Sequence, residues 1–375
     1  MRAPVRILYD ISPHTLGGTE GFLARFFQSL DADRFMPVVV SRRDEAPLQW
    51  IRAQGVETIV LPEYDSPSGV RRLADLMRAL NVRLAQSNYY SFTLALAASH
   101  AGVPHVWRPG GHVRWGSGVR SARDARLAVD MMQLLSAAIL CNSRFVARQF
   151  AKRHATLSVI PNGIAVDQSP RRAQPGPFRI GMVAHLTRQK RHHDFVSAAK
   201  QVAAARPDVQ FAIHGQVVSD AESRGYAKQV RRAAQPLMRA GRFAISAFDP
   251  RRDASPPDLD LVVLPSIGES FSNALLEAMA SGLPVIATRS GGNVELVAHR
   301  RTGLLIPPQD PQALADAILS LLRRPALMRA MGRAGRAHVR RHFAIDKCVA
   351  RYERVYTRLL GTDSANGRRA RTELS

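Results

Sequence analysis

The chain has 375 residues, 46% of them hydrophobic, a composition that excludes disorder and exceeds what one core usually holds. Lysine and arginine number 53 against 30 aspartates and glutamates, and the net charge of +23 favours anionic partners such as nucleic acid, lipid headgroups or phosphorylated substrates. Nucleic acid is excluded on pattern: aromatic residues make up only 6%, do not interleave with the basic clusters, and form no helix-turn-helix, zinc-finger or RNA-recognition signature.

Apolar strand-like runs alternate with helical patterns along nearly the whole chain, which predicts parallel sheets with helices on both faces. In the first half the strands fall at 5–10, 36–41, 56–62, 82–88, 103–109, 137–143 and 157–161. A stretch rich in turn residues, 167–177, then breaks the periodicity. Strands resume at 178–184, 209–215, 243–248, 259–266, 284–290 and 303–307. The α/β class with two doubly wound, Rossmann-like domains is therefore expected: 1–168, a linker at 169–177, and 178–345. A last helical pattern at 346–360 carries Val349, Tyr352, Val355, Tyr356 and Leu359 on one face, and the polar stretch after 361 is expected to be frayed.

Each domain opens with a strand, a loop suited to an anion, and a helix. In the first, Ile11-Ser-Pro-His-Thr-Leu-Gly-Gly18 leads into a helix expected to be capped by Thr19, and Gly17 and Gly18 let the backbone approach a ligand closely. In the second, His185-Leu-Thr-Arg-Gln-Lys-Arg191 brings Arg188, Lys190 and Arg191 to a helix start, a diphosphate clamp in outline. No Gly-x-x-x-x-Gly-Lys-Ser/Thr occurs, which argues against a P-loop nucleotidase.

The most informative stretch is Ser266-Ile-Gly-Glu-Ser-Phe-Ser-Asn-Ala-Leu-Leu-Glu-Ala-Met-Ala-Ser-Gly-Leu-Pro-Val-Ile-Ala-Thr288. A buried strand feeds a helix start here, the place where open α/β sheets bind ligands. Glu269 falls in the connecting loop and Glu277 about two helical turns later, so both can face one crevice. The neighbours of Glu277 on its helix face are small (Asn273, Ala274, Ala280, Ser281), and no Lys or Arg occurs from 253 to 288 in an otherwise arginine-rich chain. An ordinary solvated face of this protein would carry basic residues. This one leaves room for a ligand.

With these pieces placed, the chain from 5 to 360 resembles the retaining, nucleotide-sugar-dependent glycosyltransferases of family 4. The resemblance is strongest over 265–288, continuing through Gly291-Gly-Asn-Val-Glu295 and Thr302-Gly-Leu-Leu-Ile-Pro307, and the family's Glu-x7-Glu motif falls on Glu269 and Glu277. Weaker matches are Gly17-Gly-Thr-Glu20, Asn142-Ser143, Ile160-Pro-Asn-Gly163 and the basic loop ending at Lys190. It implies a GT-B fold, two Rossmann-like domains facing across a cleft, with the last helix crossing back to the N-terminal domain. It also implies that Glu277 takes the ribose hydroxyls of the donor. Glu269 contacts the sugar near the reacting face, and the amides of Ser270, Phe271, Ser272 and Asn273 meet the diphosphate with Lys190. Gly17 and Gly18 approach donor and acceptor from the first domain.

Three departures from the family pattern stand out. Ala184-His-Leu186 replaces the usual Gly-Arg-Leu, so the usual phosphate-binding arginine becomes His185, and either His185 or Arg188 is left to contact the diphosphate. Lys190 is followed by Arg191 where glycine is common. The family's histidine after the fifth strand has its counterpart near Gly110, with His112 two positions on as the catalytic candidate.

Asp258-Leu-Asp260 has the Asp-x-Asp spelling that holds metal in other glycosyltransferases. Here it opens a buried strand and is read as a strand cap, so no metal and no cofactor besides the nucleotide-sugar substrate is expected. The expected partners are a nucleotide-sugar donor, UDP or GDP being equally open, and a saccharide or lipid-linked saccharide acceptor of cell-surface polysaccharide, lipopolysaccharide or glycolipid assembly. No apolar run approaches the roughly 18 residues of a membrane span, the first strand leaves no space for a signal peptide, and two isolated cysteines suit a reduced setting. A cytoplasmic protein is expected, docked peripherally on an anionic membrane through Arg114, Arg120, Arg123 and Arg126 with Leu127, Met131, Met132 and Leu135. The alternatives are a nucleotide-sugar epimerase of the same fold and a non-catalytic, basic surface-binding protein.

Overall fold

The computed structural model describes residues 3–11, 17–110, 122–150, 156–166, 176–218, 220–249 and 258–362. His112, Arg114 and Arg120 therefore lie outside the described residues, as does most of the expected linker. The chain divides into two compact units, one comprising Met1–Gly163 with Ile345–Ser375 and the other Ile164–Ala344.

The first unit is built from β1 (Val5–Asp10), α1 (Gly18–Ser29), β2 (Phe35–Ser41), α2 (Ala46–Ala53), β3 (Glu57–Val60), α3 (Pro67–Ala79) and β4 (Val82–Ser87). It continues through α4 (Phe92–Ala101), β5 (His105–Trp107), α5 (Ala122–Leu135), β6 (Ala138–Cys141), α6 (Arg144–Ala147) and β7 (Leu157–Val159). Its seven strands form one parallel sheet in the order 3-2-1-4-5-6-7. Parallel strands are covered on both faces, which is why Val38, Val39 and Val40 of β2 are all buried in succession instead of alternating with polar residues. Helices start where a side chain can satisfy the first free amides: Ser66 accepts from Gly69 N at 3.0 Å and Ser91 from Leu94 N at 3.3 Å. Helix α4 stops at Gly102, which takes the left-handed φ of 69° that favours glycine.

The second unit contains β8 (Phe178–Val183), α7 (His192–Ala205), β9 (Val209–His214), α8 (Ala221–Arg239), β10 (Phe243–Ser246), β11 (Leu261–Leu264) and α9 (Asn273–Ala280). It ends with β12 (Val285–Thr288), α10 (Asn293–Leu296), β13 (Leu304–Ile306), α11 (Pro311–Leu322) and α12 (Pro325–His342). Its six-stranded sheet has the order 10-9-8-11-12-13, again parallel. Both sheets are doubly wound. The order reverses between β1 and β4 in one and between β8 and β11 in the other, so the carboxyl ends of those strand pairs are the topological switch points where such sheets bind ligands.

The last helix, α13 (Ile345–Thr362), belongs to the first unit. Cys348, Val349, Tyr352, Tyr356 and Leu359 are buried in the core that also holds Tyr9, Phe22 and Phe26, and each fully buried large side chain contributes roughly 1.5–3 kcal/mol. A polar thread fixes its register. Tyr9 OH donates to Tyr356 OH at 3.2 Å, and Tyr356 OH donates to Gln86 Oε1 at 2.7 Å. Gln86 Nε2 in turn donates to Asn88 Oδ1 at 3.1 Å, and Asn88 N donates to Asp10 Oδ1 at 2.8 Å. Buried polar groups that satisfy one another in sequence admit few alternative seatings.

Candidate active site

The switch point of the second unit brings together three loops. The β8–α7 loop begins at half-buried His185 and passes through a single tight turn, Arg188–Lys190. Leu186 is buried and its N–H donates to Gln216 O at 3.0 Å, which anchors the loop to the neighbouring β9 end. Gln189 stitches it to the β11–α9 loop: Ile267 N donates to Gln189 O at 2.9 Å, and Gln189 Nε2 donates to Gly268 O at 3.3 Å. Lys190 then reaches across to Glu269, with Nζ 2.5 Å from Oε1.

The other two cations of this loop point elsewhere. Arg188 is exposed, pairs with Glu222 at 2.9 Å and lies over the Tyr226 ring at 5.7 Å. Arg191 has a left-handed backbone, φ 58°, which gives a physical reason for glycine at this position; its guanidinium forks onto both oxygens of buried Asp194 at 2.9 and 2.8 Å. The three-residue clamp expected from sequence thus resolves into one lysine facing Glu269 and two arginines held by other carboxylates.

Glu269 is positioned by tight backbone packing. Gly268 (φ 67°) donates its N–H to Ser290 Oγ at 3.0 Å, and Gly292 N donates to Glu269 O at 2.7 Å. Gly291 (φ 60°) comes so close that a Cβ there would lie 2.2 Å from the Glu269 carbonyl oxygen. Beyond it Phe271 is buried against Phe343 with ring centres 5.5 Å apart, and Ser272 caps α9 by accepting from Leu275 N at 3.3 Å. Leu275, Leu276, Ala278 and Met279 bury one side of α9, while Asn273 and Glu277, one turn apart, share a half-buried face. Ser270 is likewise half-buried at the start of this turn. Asp260 is occupied with the sheet: its carboxylate accepts from Arg179 N at 2.8 Å, and Asp258 faces the Arg179 side chain at 4.0 Å. Among the described residues no group of three His, Cys, Asp or Glu side chains is arranged to hold a metal ion.

At the switch point of the first unit, Gly17 and not Thr19 is the cap of α1, and Glu20 closes the turn by accepting from Gly17 N at 3.0 Å. Thr19 lies inside the first turn because the helix begins at Gly18, two residues earlier than a Thr19 cap would require. Glu20 is buried and also accepts from the Tyr89 hydroxyl; burial raises its carboxyl above the ordinary range, against the pull of that hydrogen bond. Asp10, at the end of β1, is pushed up to about 6 by burial although it accepts from Asn88 N and from Tyr64 OH at 3.3 Å. Arg108, just past β5, is fully buried; Nε donates to Tyr352 OH at 3.0 Å and Nη2 to Asn162 Oδ1 at 2.7 Å. Sequence reasoning passed over Asp10 and Arg108. Glu20 had a signal, as the last residue of the Gly17-Gly-Thr-Glu20 match.

Comparison with known proteins accounts for this arrangement. Residues 166–338 match the family model described as Glycosyl transferases group 1, and residues 16–168 match that of Glycosyltransferase Family 4. The chain belongs to glycosyltransferase family 4. It is 28% identical over 258 residues to a glycogen synthase of Mycobacterium tuberculosis, a match covering 67% of this chain and 61% of that relative's length. A GDP-mannose-dependent monoacylated alpha-(1-6)-phosphatidylinositol monomannoside mannosyltransferase of Corynebacterium glutamicum is 26% identical over 364 residues, 87% of this chain and 91% of the relative. Among solved structures, Anabaena HepE in complex with UDP and glucose superimposes with a TM-score of 0.80 over 94% of this chain and 99% of that one, at 20% identity, a likeness of fold. Two parallel Rossmann-like sheets and a final helix returning to the first of them are the GT-B architecture that this family uses.

Proposed function

We propose that this glycosyltransferase moves a sugar from a nucleoside-diphosphate donor to an acceptor hydroxyl with retention of anomeric configuration. The observation that carries the reading is the meeting of Lys190 and Glu269 at the β8/β11 switch point, with Glu277 one turn into α9. In the reaction the bond between the anomeric carbon and the β-phosphate oxygen breaks with its electron pair staying on the phosphate, the acceptor oxygen bonds to the anomeric carbon, and the acceptor's proton passes to the departing phosphate. Negative charge grows on the leaving diphosphate. The Lys190 ammonium and the dipole at the start of α9 can stabilise that charge, so we propose chemistry that needs no metal. Glu277 is assigned the ribose hydroxyls, Glu269 the sugar hydroxyls, and the 270–273 turn the diphosphate. His112, outside the described residues, remains the catalytic candidate contributed by the first stretch of the chain.

The relatives' names mention GDP-mannose in one case and UDP with glucose in another, so both donor classes belong in the test. A saccharide or lipid-linked saccharide acceptor would place the enzyme in cell-surface polysaccharide, lipopolysaccharide or glycolipid assembly on the cytoplasmic side. No helix among the described residues is long and apolar enough to cross a membrane. Peripheral docking through α5 is supported by Leu127, Met131 and Leu134, exposed at helical spacing beside Arg126. The apolar docking residues differ from those expected: Met132 is buried in the core and Leu134 is 86% exposed, because α5 packs on the sheet through Val129 and Met132.

A panel of UDP- and GDP-sugars, with thermal shift, hydrolysis and EDTA arms, tests the reading. Glu277→Ala should abolish donor-dependent stabilisation without unfolding the protein. Donor turnover to an isomeric nucleotide sugar without acceptor would instead establish an epimerase. Binding of anionic but not neutral vesicles, weakened by salt, would establish the docking surface.

A further inference from the structure

The Lys190–Glu269 pair is more than a juxtaposition of two ligand-binding residues. Side-chain exposure is 23% for Lys190 and 9% for Glu269, so the pair is shielded from most of the water that weakens surface ion pairs. Among the described residues Lys190 is the only cation within ion-pair distance of Glu269. Neither side chain can easily withdraw its backbone, since Gln189 ties the two loops together and Gly292 holds the Glu269 carbonyl. In this state each charge satisfies the other. A diphosphate that needs Lys190 must compete with a carboxylate already in place.

We propose that Glu269 is the resident counter-ion of Lys190 and that this pairing makes the site prefer the sugar-bearing nucleotide over the spent diphosphate. The inference rests on the donor-site reading given above. When a nucleotide sugar enters, its sugar hydroxyls donate to Glu269, and Lys190 is released to the phosphates. When the sugar has been transferred, Glu269 loses those donors and faces the product's terminal phosphate, which carries more negative charge than it did in the donor. Two anions then share one ammonium. Re-forming the Lys190–Glu269 pair relieves that conflict and expels the nucleotide, so the same carboxylate that greets the donor sugar hastens release of the product.

The test is calorimetric titration of the full chain with UDP, GDP, UDP-glucose and GDP-mannose, for the unmodified protein, Glu269→Gln, Lys190→Met and the double variant. If the unmodified protein binds neither the nucleotides nor their sugars, the donor-site reading fails. If it binds them, Glu269→Gln should bind the bare diphosphate about tenfold more tightly while binding its sugar form no better, because the competing charge is gone and the shape is kept. That gain should largely vanish in the Lys190→Met background, a coupling that a purely structural Glu269 would not produce. Glu269→Ala carries the same expectation should the Gln side chain disturb the loop. Unchanged or weaker diphosphate binding in both Glu269 variants overturns the counter-ion role and leaves Glu269 a sugar contact. A gain of equal size without Lys190 also overturns it, since simple repulsion would then suffice.

Discussion

The Arg108 guanidinium carbon lies 4.4 Å from the centre of the Phe22 ring, and among the described residues no carboxylate forms an ion pair with it. A fully buried cation is held instead by a phenol, an amide oxygen and an aromatic face, contributed by α13, the segment after β7, and α1. Its Nη1 is buried without a hydrogen-bond partner. Arg108→Met should therefore remove its hydrogen bonds to Asn162 and Tyr352 and lower stability by about 2–4 kcal/mol. In urea unfolding the midpoint should fall with the slope unchanged. A stability equal to the unmodified protein would mean that the buried charge costs as much as its contacts return.

The pH dependence of stability separates two opposed groups. His105 and His192 are pushed down to about 3 by burial, so their neutral forms contribute stability that is complete above the unfolded value of 6.5 and lost as pH falls through the range to 3. Asp10 works the other way. Its folded value is raised from 3.8 to about 6, so the native state binds that proton more tightly, and stability from it is full below 3.8 and lost as pH rises through 6. Asp10→Asn should keep hydrogen bonds to Asn88 and Tyr64 while removing the titration. The stability difference, variant minus unmodified protein, should grow between pH 4 and 6 by an amount on the order of 2–3 kcal/mol. A flat difference would show that Asp10 titrates alike in both states.

Gly291→Ala tests how Glu269 is placed. The new methyl would meet the Glu269 carbonyl at 2.2 Å from a backbone of φ 60°, so the Glu269 loop must shift. Displacement of about 1 Å at a reacting centre costs on the order of 100-fold in rate, and transfer activity should fall by that factor with the circular-dichroism spectrum unchanged. Gly225, where a Cβ meets nothing within 4 Å, is the matched control, and Gly225→Ala should leave activity intact.

Donor affinity should depend on Lys190 far more than on Arg188. The Arg188–Glu222 pair is exposed on both sides, and losing such a pair changes little. Lys190→Ala should weaken donor binding roughly 10- to 100-fold and Arg188→Ala less than about threefold, as read by titration with the preferred nucleotide sugar. The opposite ranking would make Arg188 the replacement for the arginine that His185 supplants.

Much of the fold was legible because the sheets are parallel. Strands buried on both faces write themselves as unbroken apolar runs, and β2 and β11 could be read from Val38–Val40 and Leu261–Leu264 without any tertiary information. The Glu269–Glu277 spacing was legible for a related reason, since a strand, a loop and a helix start in succession leave few places for two carboxylates. What was not legible depended on distant partners. Arg108 is one basic residue among 53, and nothing local distinguishes a buried guanidinium from a solvated one. Arg191 looked like part of an anion clamp, because its left-handed backbone and its fork onto Asp194 are consequences of how α7 starts. On α5 two adjacent methionines both looked fit to dock, and only the packed sheet decides that Met132 turns in and Met131 out.

The seating of α13 has a consequence for how the protein is made. The first unit draws on two stretches of chain that are separated by the whole of the second. On the ribosome, the sheet of the first unit emerges early, yet Tyr9, Phe22, Phe26 and Gln86 have no Tyr352 or Tyr356 to meet until the last helix appears. At ordinary elongation rates of about 5–20 residues per second, that interval is roughly ten to forty seconds. For that time the nascent first unit presents an aromatic face and a polar thread that lacks its Tyr356 link, a natural target for chaperones. It also follows that a fragment ending at Gly163 is an unfinished domain, and that supplying 345–362 as a separate peptide is the way to complete it.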